Sequence, residues 1–335
     1  MKAIRFQKYI AVFSVLLFLA KILAWYLTNS VMVLTDALEG IVNMVTGFLG
    51  LYSLILSAKP RDKNHPYGHG KIQYLTSAVE GTLIIVSAFV IIYEATEQLI
   101  IYHELQKLDI GLIIVVSAGL VNYALGKFAE ISGRRNNSIV LESAGKHLIT
   151  DGYSSIAIII GLGLLVIVQS IPSTHDKYLW LDSAVALCFA LIILITGYKV
   201  LRRSISGIMD EVDTALLNSV VEMLQKSRQP QWVDLHNLRV IQYGDMLHVD
   251  AHISLPWYYN VQKSDKEIHA LEGLIKSHFG DKVELFIHTD ACVSSQCGLC
   301  ALSDCPERKN KFSSQLTWEI GNVWTNEMHG VNVDI

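Results

Sequence analysis

The sequence predicts an α-helical membrane protein with six transmembrane helices, followed by a cytoplasmic α+β domain and a cysteine-rich tail. Of its 335 residues, 51% are hydrophobic and only 17% are charged. The apolar residues are concentrated in long segments that a water-soluble fold could not easily bury. From about residue 205 the pattern changes to short amphipathic elements. We therefore expect three parts, residues 1–204, 205–290 and 291–335.

Six apolar segments are long enough to cross a bilayer as helices, which takes roughly 20 residues each. They are residues 9–28, 32–57, 73–100, 110–130, 143–169 and 180–199. The first has no small-residue cleavage site and is followed at once by the second. We therefore interpret it as an anchored helix and not as a cleaved signal peptide.

The basic residues predict the orientation of these spans. Lys and Arg precede the first span and follow the second, fourth and sixth, whereas the alternate connections are poorer in them. By the positive-inside rule both termini lie in the cytoplasm. We expect a multi-pass protein of the cell (inner) membrane.

Two pairs of polar residues lie within the apolar spans. Glu39 and Asn43 are four positions apart in the second span, and His147 and Asp151 are four apart in the fifth. Residues at this spacing share one face of a helix. If the two faces meet, an imidazole, two carboxylates and an amide oxygen surround one point, which is a ligand set for a divalent metal ion.

Charge inside a bilayer must be compensated, because each buried charge costs on the order of 2.5 to 3.5 kcal/mol on insertion scales. A metal-free site should therefore take up protons on His147 and the carboxylates, which would link metal binding to proton binding. The alternative is that these residues only bond to the backbone or pack helices together. Matching spacing on two separate spans favours the metal site.

The segment from 205 to 290 predicts two amphipathic helices and three strands in the order α-β-β-α-β. This order is typical of a small open sheet with helices on one face, and we interpret it as a ferredoxin-like, metallochaperone-like domain. In "MLHVDAHISL" apolar and polar residues alternate, so the apolar set should face the helices and His252 should lie on the other face.

At these residues the chain resembles the cation diffusion facilitators, a family of dimeric transporters with six spans and a cytoplasmic metal-binding domain. The similarity extends from about residue 8 to 290. It is carried by "HPYGHGKIQYL", "YEATEQL", "HLITDGYSS", "GIMDEV" and "HTD", in this order.

The resemblance implies a central transport site made of Glu39, Asn43, His147 and Asp151. The fifth-span pair has the form usual in zinc transporters. In the second span, however, Asp or His would be expected in place of Glu39, and Asp in place of Asn43. Because a neutral amide donates less charge to a metal, affinity could be lower and selectivity could move toward iron, manganese or cobalt.

Two further features near the membrane match family positions. Asp62, His65 and His69 match an intracellular loop site of some members, although loops this polar often bind nothing. Lys71 and Asp210 match residues that pair near the membrane surface and hold two protomers together; an ordinary solvated pair is the alternative.

In the cytoplasmic domain the resemblance implies a metal cluster at the dimer interface. Its ligands would be His236, His252, His288 and Asp290. The alternative is a wet polar sheet face. The second helix has Gln262 and Lys263 where a ligand histidine would be expected, so one metal of the cluster could be missing or held differently.

The tail begins with four cysteines in the order C-x4-C-x2-C-x4-C, namely Cys292, Cys297, Cys300 and Cys305. In a reducing cytoplasm metal binding is a better use of these thiols than disulfides. A four-cysteine zinc site is favoured, with an iron–sulfur cluster as the weaker option and a redox role or none left open.

These observations predict an exporter of a divalent metal ion, with Zn²⁺ favoured, that exchanges the metal for protons and acts as a homodimer in the lipid bilayer. The alternatives are a membrane-anchored metal sensor without transport, or a transporter selective for iron, manganese or cobalt. An enzyme is not expected, since the sequence contains no H-E-x-x-H and no nucleophile with a base partner stands out. No nucleic-acid partner is expected.

Overall fold

The computed structural model describes residues 2–101, 108–135, 180–243 and 246–331, together with individual positions between 145 and 163. The chain forms two compact units, Met1–Ile208 and Met209–Ile335. The cysteine-rich tail therefore belongs to the same unit as the α+β domain.

The first unit contains five long helices in its described part. They are α1 (Lys2–Thr28), α2 (Val31–Ser57), α3 (Ile72–Ile100), α4 (Leu108–Arg135) and α5 (Trp180–Ile208). Each contains a segment long and apolar enough to cross a membrane, so five of the predicted spans are confirmed. The other one, residues 143–169, lies mostly outside the described residues, and those of its positions that are described are helical.

The turn between α1 and α2 is fixed by polar side chains. Asn29 adopts φ +53°, a left-handed conformation that asparagine tolerates and that ends α1. Ser30 caps α2 by accepting a hydrogen bond from the backbone N–H of Val33 at 3.4 Å. Asp182, in the first turn of α5, accepts from Ser30 Oγ at 2.6 Å and from the N–H of Val31 at 2.7 Å. This buried carboxylate ties the start of α2 to the start of α5.

Two glycines allow α3 and α5 to pack closely. A Cβ atom on Gly81 would lie 2.7 Å from the backbone nitrogen of Leu201, and one on Gly197 would lie 2.8 Å from a methyl carbon of Ile84. Neither position has room for a larger residue. Small residues commonly permit this approach between membrane helices.

The second unit has the predicted α-β-β-α-β order. Its elements are α6 (Thr214–Lys226), β1 (Asp234–Tyr243), β2 (Met246–Leu255), α7 (Val261–Phe279) and β3 (Val283–Ala291), followed by a 3-10 helix (Ser294–Gly298) and α8 (Ile320–Val323). The strands lie in the order β1-β2-β3, with β1 and β2 antiparallel and β2 and β3 parallel. The alternate apolar residues of β2 pack with α6 and α7 in one core, which confirms the predicted alternation.

The tail packs onto this same core. Trp318 is only 2% exposed and joins the core cluster, while the guanidinium carbon of Arg228 lies 4.0 Å from the centre of its ring. Arg228 also donates hydrogen bonds to the carbonyls of Trp232 and Leu316. Burial lowers the pKa of Arg228 to about 10, although the negative charge of Asp234 acts in the opposite direction and would raise that pKa. The segment around Trp318 is thus an integral part of the second unit.

Candidate metal-binding sites

Asn43 of α2 and Asp151 meet inside the first unit. The Asn43 side-chain amide donates a hydrogen bond to Asp151 Oδ2 at 2.6 Å, and both residues are buried. Glu39 lies one helical turn before Asn43 and is half-buried. His147, the fourth predicted ligand, lies outside the described residues. The structure therefore brings together one residue from each of the two predicted pairs.

A buried ion pair between α1 and α2 was not predicted from the sequence. Lys21 of α1 is 1% exposed, and its Nζ lies 2.7 Å from Oδ1 of the fully buried Asp36. Ser155 Oγ donates toward Asp36 Oδ1 at 3.4 Å and toward the carbonyl of Asp151 at 3.0 Å. Asp36 Oδ2 has no hydrogen-bond partner among the described residues. The N-cap of α2 is Ser30, and Asp36 is the ion-pair partner of Lys21.

The signal for this pair was present in the sequence. Lys21 is a cation inside the first apolar span, where an uncompensated charge is costly. Its partner Asp36 lies three positions before Glu39 on α2, and Ser155 bridges Asp36 and the backbone of Asp151. One cation and three carboxylates leave a formal charge of two negative units. That is the charge a divalent cation or two protons would neutralise.

The predicted loop site has converging ligand atoms. Asp62 Oδ1 lies 3.1 Å from His65 Nδ1, and Asp62 Oδ2 lies 3.4 Å from His69 Nε2. The ligand atoms of all three residues lie within 4.8 Å of one another. Desolvation would raise the pKa of Asp62, but the hydrogen bonds from the His65 ring and from the N–H groups of His65 and Asn64 together outweigh it and lower that pKa. The loop therefore presents an ionised carboxylate and the His65 imidazole to solvent, while the His69 side chain is only 7% exposed.

Three histidines lie side by side across the sheet of the second unit. His236 of β1 is opposite His252 of β2, and His252 is in register with His288 of β3. Asp290 joins them: its Oδ2 lies 3.4 Å from His236 Nε2 and 3.0 Å from His252 Nδ1, and its Oδ1 lies 3.5 Å from His288 Nε2. The ligand atoms of His236, His252 and Asp290 all lie within 4.8 Å.

Asp234 supports this cluster from behind. It is fully buried, and its Oδ2 lies 3.2 Å from the second nitrogen of His236. Its other oxygen lies 2.8 Å from His329 Nδ1, so a residue of the tail reaches the same carboxylate. Burial would raise the pKa of Asp234, but the contacts with His236 and His329 outweigh burial and lower it. An ionised carboxylate behind a ligand histidine is the usual device for orienting its ring.

Lys71 and Asp210, the residues of the predicted charge pair, both lie in the described part of the chain. Lys71 Nζ donates toward the carbonyl of Ile208 at 3.5 Å, and Asp210 adopts φ +56° at the start of the second unit. Their pairing between protomers stays a prediction. The four tail cysteines line one cavity.

Two family models match successive parts of the chain. The model described as the cation efflux transmembrane domain matches residues 8–209, and the model described as the cation efflux protein cytoplasmic domain matches residues 212–292. These matches cover both units up to the first tail cysteine.

Individual relatives agree with the family models. An uncharacterized transporter of Synechocystis is 31% identical over 76% of this chain and 80% of its own. The cation-efflux pump FieF of Shewanella oneidensis is 23% identical over 81% and 88%, and the magnetosome protein MamM of Magnetospirillum gryphiswaldense is 25% identical over 78% and 80%. With its helical membrane unit and its small mixed sheet, the chain therefore belongs to the cation diffusion facilitator family of cation efflux transporters.

Proposed function

We propose that this protein exports a divalent metal ion, with Zn²⁺ favoured, from the cytoplasm across the inner membrane in exchange for protons. The observation that carries the proposal is the group formed by the buried Lys21, Asp36 and Asp151 and the half-buried Glu39, whose formal charge is two units negative. Such a group is costly in a bilayer unless a cation or protons complete it. Metal and protons would therefore compete for the same charge.

The ligands come from two helices, which suits a transport site. Asn43 and Asp151 touch at 2.6 Å, and Glu39 and His147 each lie four positions earlier on their own segments. A metal bound between them would link the two segments, and its release would let them move relative to one another. Alternating access in secondary transporters takes place around a fixed site of this kind.

The cytoplasmic sites would regulate this transport. In this proposal both termini face the cytoplasm, and two copies of the second unit meet when metal binds the cluster of His236, His252, His288 and Asp290. The Lys71–Asp210 pair would hold the protomers together at the membrane. The loop site at Asp62, His65 and His69 would receive ions before they enter the membrane.

Asn43 supports a second candidate. A neutral amide in the central site donates less charge than a carboxylate, which favours a transporter of iron, manganese or cobalt, or a sensor that binds metal without moving it. Two of the relatives are named magnetosome protein MamM. That name describes those proteins and does not assign a metal to this one.

The test is metal uptake into proteoliposomes with an imposed pH gradient, using zinc, iron, manganese, cobalt and cadmium in turn while internal pH is recorded. Saturable uptake of one metal with opposing proton movement would establish the exchange and identify the ion. Tight metal binding without flux of any ion would instead favour the sensor.

A matched pair of variants assigns the flux to the central site. Asp151→Asn should reduce uptake by at least about 100-fold, equivalent to about 2.7 kcal/mol, because it removes one buried carboxylate. Asp109→Asn removes an exposed carboxylate from the first turn of α4 and should leave uptake unchanged. Normal uptake by Asp151→Asn would disprove the central-site assignment.

A further inference from the structure

The segment that follows β3 is compact although it has little regular structure. Within residues 292–313, which are all described, the one helical element is the 3-10 helix Ser294–Gly298. Cys292, Cys297, Cys300 and Cys305 all line one cavity of about 230 Å³, together with Trp257 and Arg308. This segment begins where the cytoplasmic family model ends, at residue 292. The cavity therefore has no counterpart assigned by the family match.

Backbone hydrogen bonds hold the cysteine-bearing turns in place. The N–H of Cys292 donates to the carbonyl of Leu255 at 2.8 Å, which fixes this residue to the end of β2. The N–H of Lys309 donates to Cys297 Sγ at 3.4 Å. The Arg308 guanidinium donates to the carbonyls of Cys297 at 2.9 Å and of Cys300 at 3.0 Å. The Arg308 guanidinium thus holds the backbone of both turns and lines the same cavity as the four cysteines.

Apolar packing contributes little to this segment. Cys300 is buried, and the other three cysteines are partly exposed. The buried Gln296 uses its amide to accept from the N–H of Val293 and to donate to the carbonyl of His329. All five cysteines of the chain are described, and none forms a disulfide. Small segments with so little core usually depend on a disulfide or a metal ion for stability.

We propose that Cys292, Cys297, Cys300 and Cys305 bind one Zn²⁺ ion as four thiolates, at a site separate from transport and from the histidine cluster. Binding releases four thiol protons to solvent and forms four Zn–S bonds, which leaves a centre of net charge two units negative beside Arg308 and Lys309. The pair Cys297-x-x-Cys300 has the short spacing found in structural zinc sites.

Metal binding at this site requires the turns to close. Among the described residues, the cysteines are not one of the groups whose ligand atoms lie mutually within 4.8 Å. In a tetrahedral centre with Zn–S bonds of about 2.3 Å, the sulfurs lie roughly 3.8 Å apart. Binding should therefore draw the walls of the cavity inward and tighten the path from β3 to the Trp318 anchor.

An iron–sulfur cluster is the competing occupant. The first three cysteines have the C-x4-C-x2-C spacing seen in plant-type [2Fe–2S] proteins. In those proteins, however, the fourth cysteine comes from a distant segment, whereas Cys305 follows Cys300 after only four residues. Four thiols within one short segment favour a single ion.

The test uses the purified full-length protein loaded with Co²⁺ as a spectroscopic substitute for Zn²⁺. The wild type should show sulfur-to-cobalt charge-transfer absorption and strong tetrahedral d–d bands, which His and carboxylate sites do not give together. Cys297→Ser/Cys300→Ser should lose the charge-transfer band and bind one equivalent less Zn²⁺. Cys188→Ser, which changes the exposed cysteine of α5, should retain both.

Alkylation of the wild type provides a readout that does not depend on how the variants fold. Bound Zn²⁺ should protect the four tail cysteines from N-ethylmaleimide and a chelator should expose them, with the modified positions counted by mass spectrometry. The absence of both protection and a sulfur-to-cobalt band, or the recovery of labile sulfide with iron, would overturn the proposal. Because neither readout involves flux, a failure of the transport proposal would be seen separately.

Discussion

The two units hold their candidate ligands in opposite ways. In the second unit, three imidazoles and one carboxylate lie on the surface of a hydrogen-bonded sheet, and the ligand atoms of three of them already converge within 4.8 Å. In the first unit, the carboxylates are buried among helices, and a lysine and an amide occupy the positions next to them. Imidazole ligands on a sheet face can be kept without a metal, whereas carboxylates buried in a bilayer need a compensating cation or proton at all times.

This difference matters for the proposed roles of the two sites. If the sheet cluster binds metal as proposed, its converged ligand atoms need little reorganisation. If the negatively charged group between the helices binds a cation as proposed, its contacts would change each time the cation arrives or leaves, and such a change can be coupled to movement. The comparison therefore predicts large stability effects for charge changes in the first unit and small ones in the second.

The largest expected effect is that of Lys21→Met. Removing the ammonium leaves the fully buried Asp36 without its ion-pair partner at 2.7 Å, which should cost about 3 to 5 kcal/mol of stability. The measurement is the unfolding midpoint of the full-length protein in detergent, with the monodisperse fraction as a second readout.

Two controls separate charge from side-chain loss. Lys21→Met/Asp36→Leu removes both charges and should recover most of the lost stability, because an apolar pair often replaces a buried ion pair without penalty. Lys199→Met makes the same substitution at an exposed position of α5 and should change little. A Lys21→Met protein as stable as the wild type would show that the ion pair is unimportant.

The sequence predicted the elements of both units because local patterns specify them. Apolar length identified the spans, and the alternation of β2 identified its core face, since both depend on residues close together in the chain. The i,i+4 spacing likewise identified Glu39 and Asn43 as one helix face. The register between strands was harder to predict from the sequence. The alignment of His252 with His288 depends on the parallel pairing of β2 with β3, which are separated in the chain by α7.

The missed residues depend on packing between distant segments. Asp36 pairs with Lys21 of the preceding helix, and the tail residue His329 contacts Asp234, 95 positions earlier. No spacing rule within one element specifies such contacts. A lone lysine in an apolar span nevertheless signals that a partner must exist, and each nearby carboxylate is then a candidate.

An intermediate effect is expected for Asn43→Asp, which tests whether the central site is short of negative charge. A carboxylate at this position should tighten Zn²⁺ binding by about tenfold, or about 1.4 kcal/mol. Without metal, two carboxylates where Asn43 now touches Asp151 at 2.6 Å would have to share a proton. The gain in affinity should therefore be larger at high pH than at low pH.

Competition with a fluorescent metal indicator at two pH values measures this effect. Asn122→Asp, which changes a buried amide of α4, serves as the comparison and should not tighten binding. An unchanged affinity for Asn43→Asp would argue that residue 43 is not a ligand.

The smallest stability effect is expected for His252→Ala in the second unit. The ring is about one-third exposed and lies on a strand paired on both sides, so its loss should cost no more than about 1.5 kcal/mol, the range of one hydrogen bond. Its effect on metal response should be much larger. At a free Zn²⁺ concentration 100 times the Kd, binding stabilises the wild type by about 2.7 kcal/mol, and this increment should disappear.

Denaturant unfolding of the second unit within the full-length protein, with and without Zn²⁺, separates these two quantities. His269→Ala removes an exposed imidazole of α7 and should keep the full Zn²⁺ increment. If His252→Ala also kept it, the histidine row would be only a polar sheet face. If His252→Ala instead unfolded the domain in the absence of metal, the histidine row would be needed for the fold. The contrast between a metal-free sheet cluster and a membrane group that always needs a compensating charge would then be wrong.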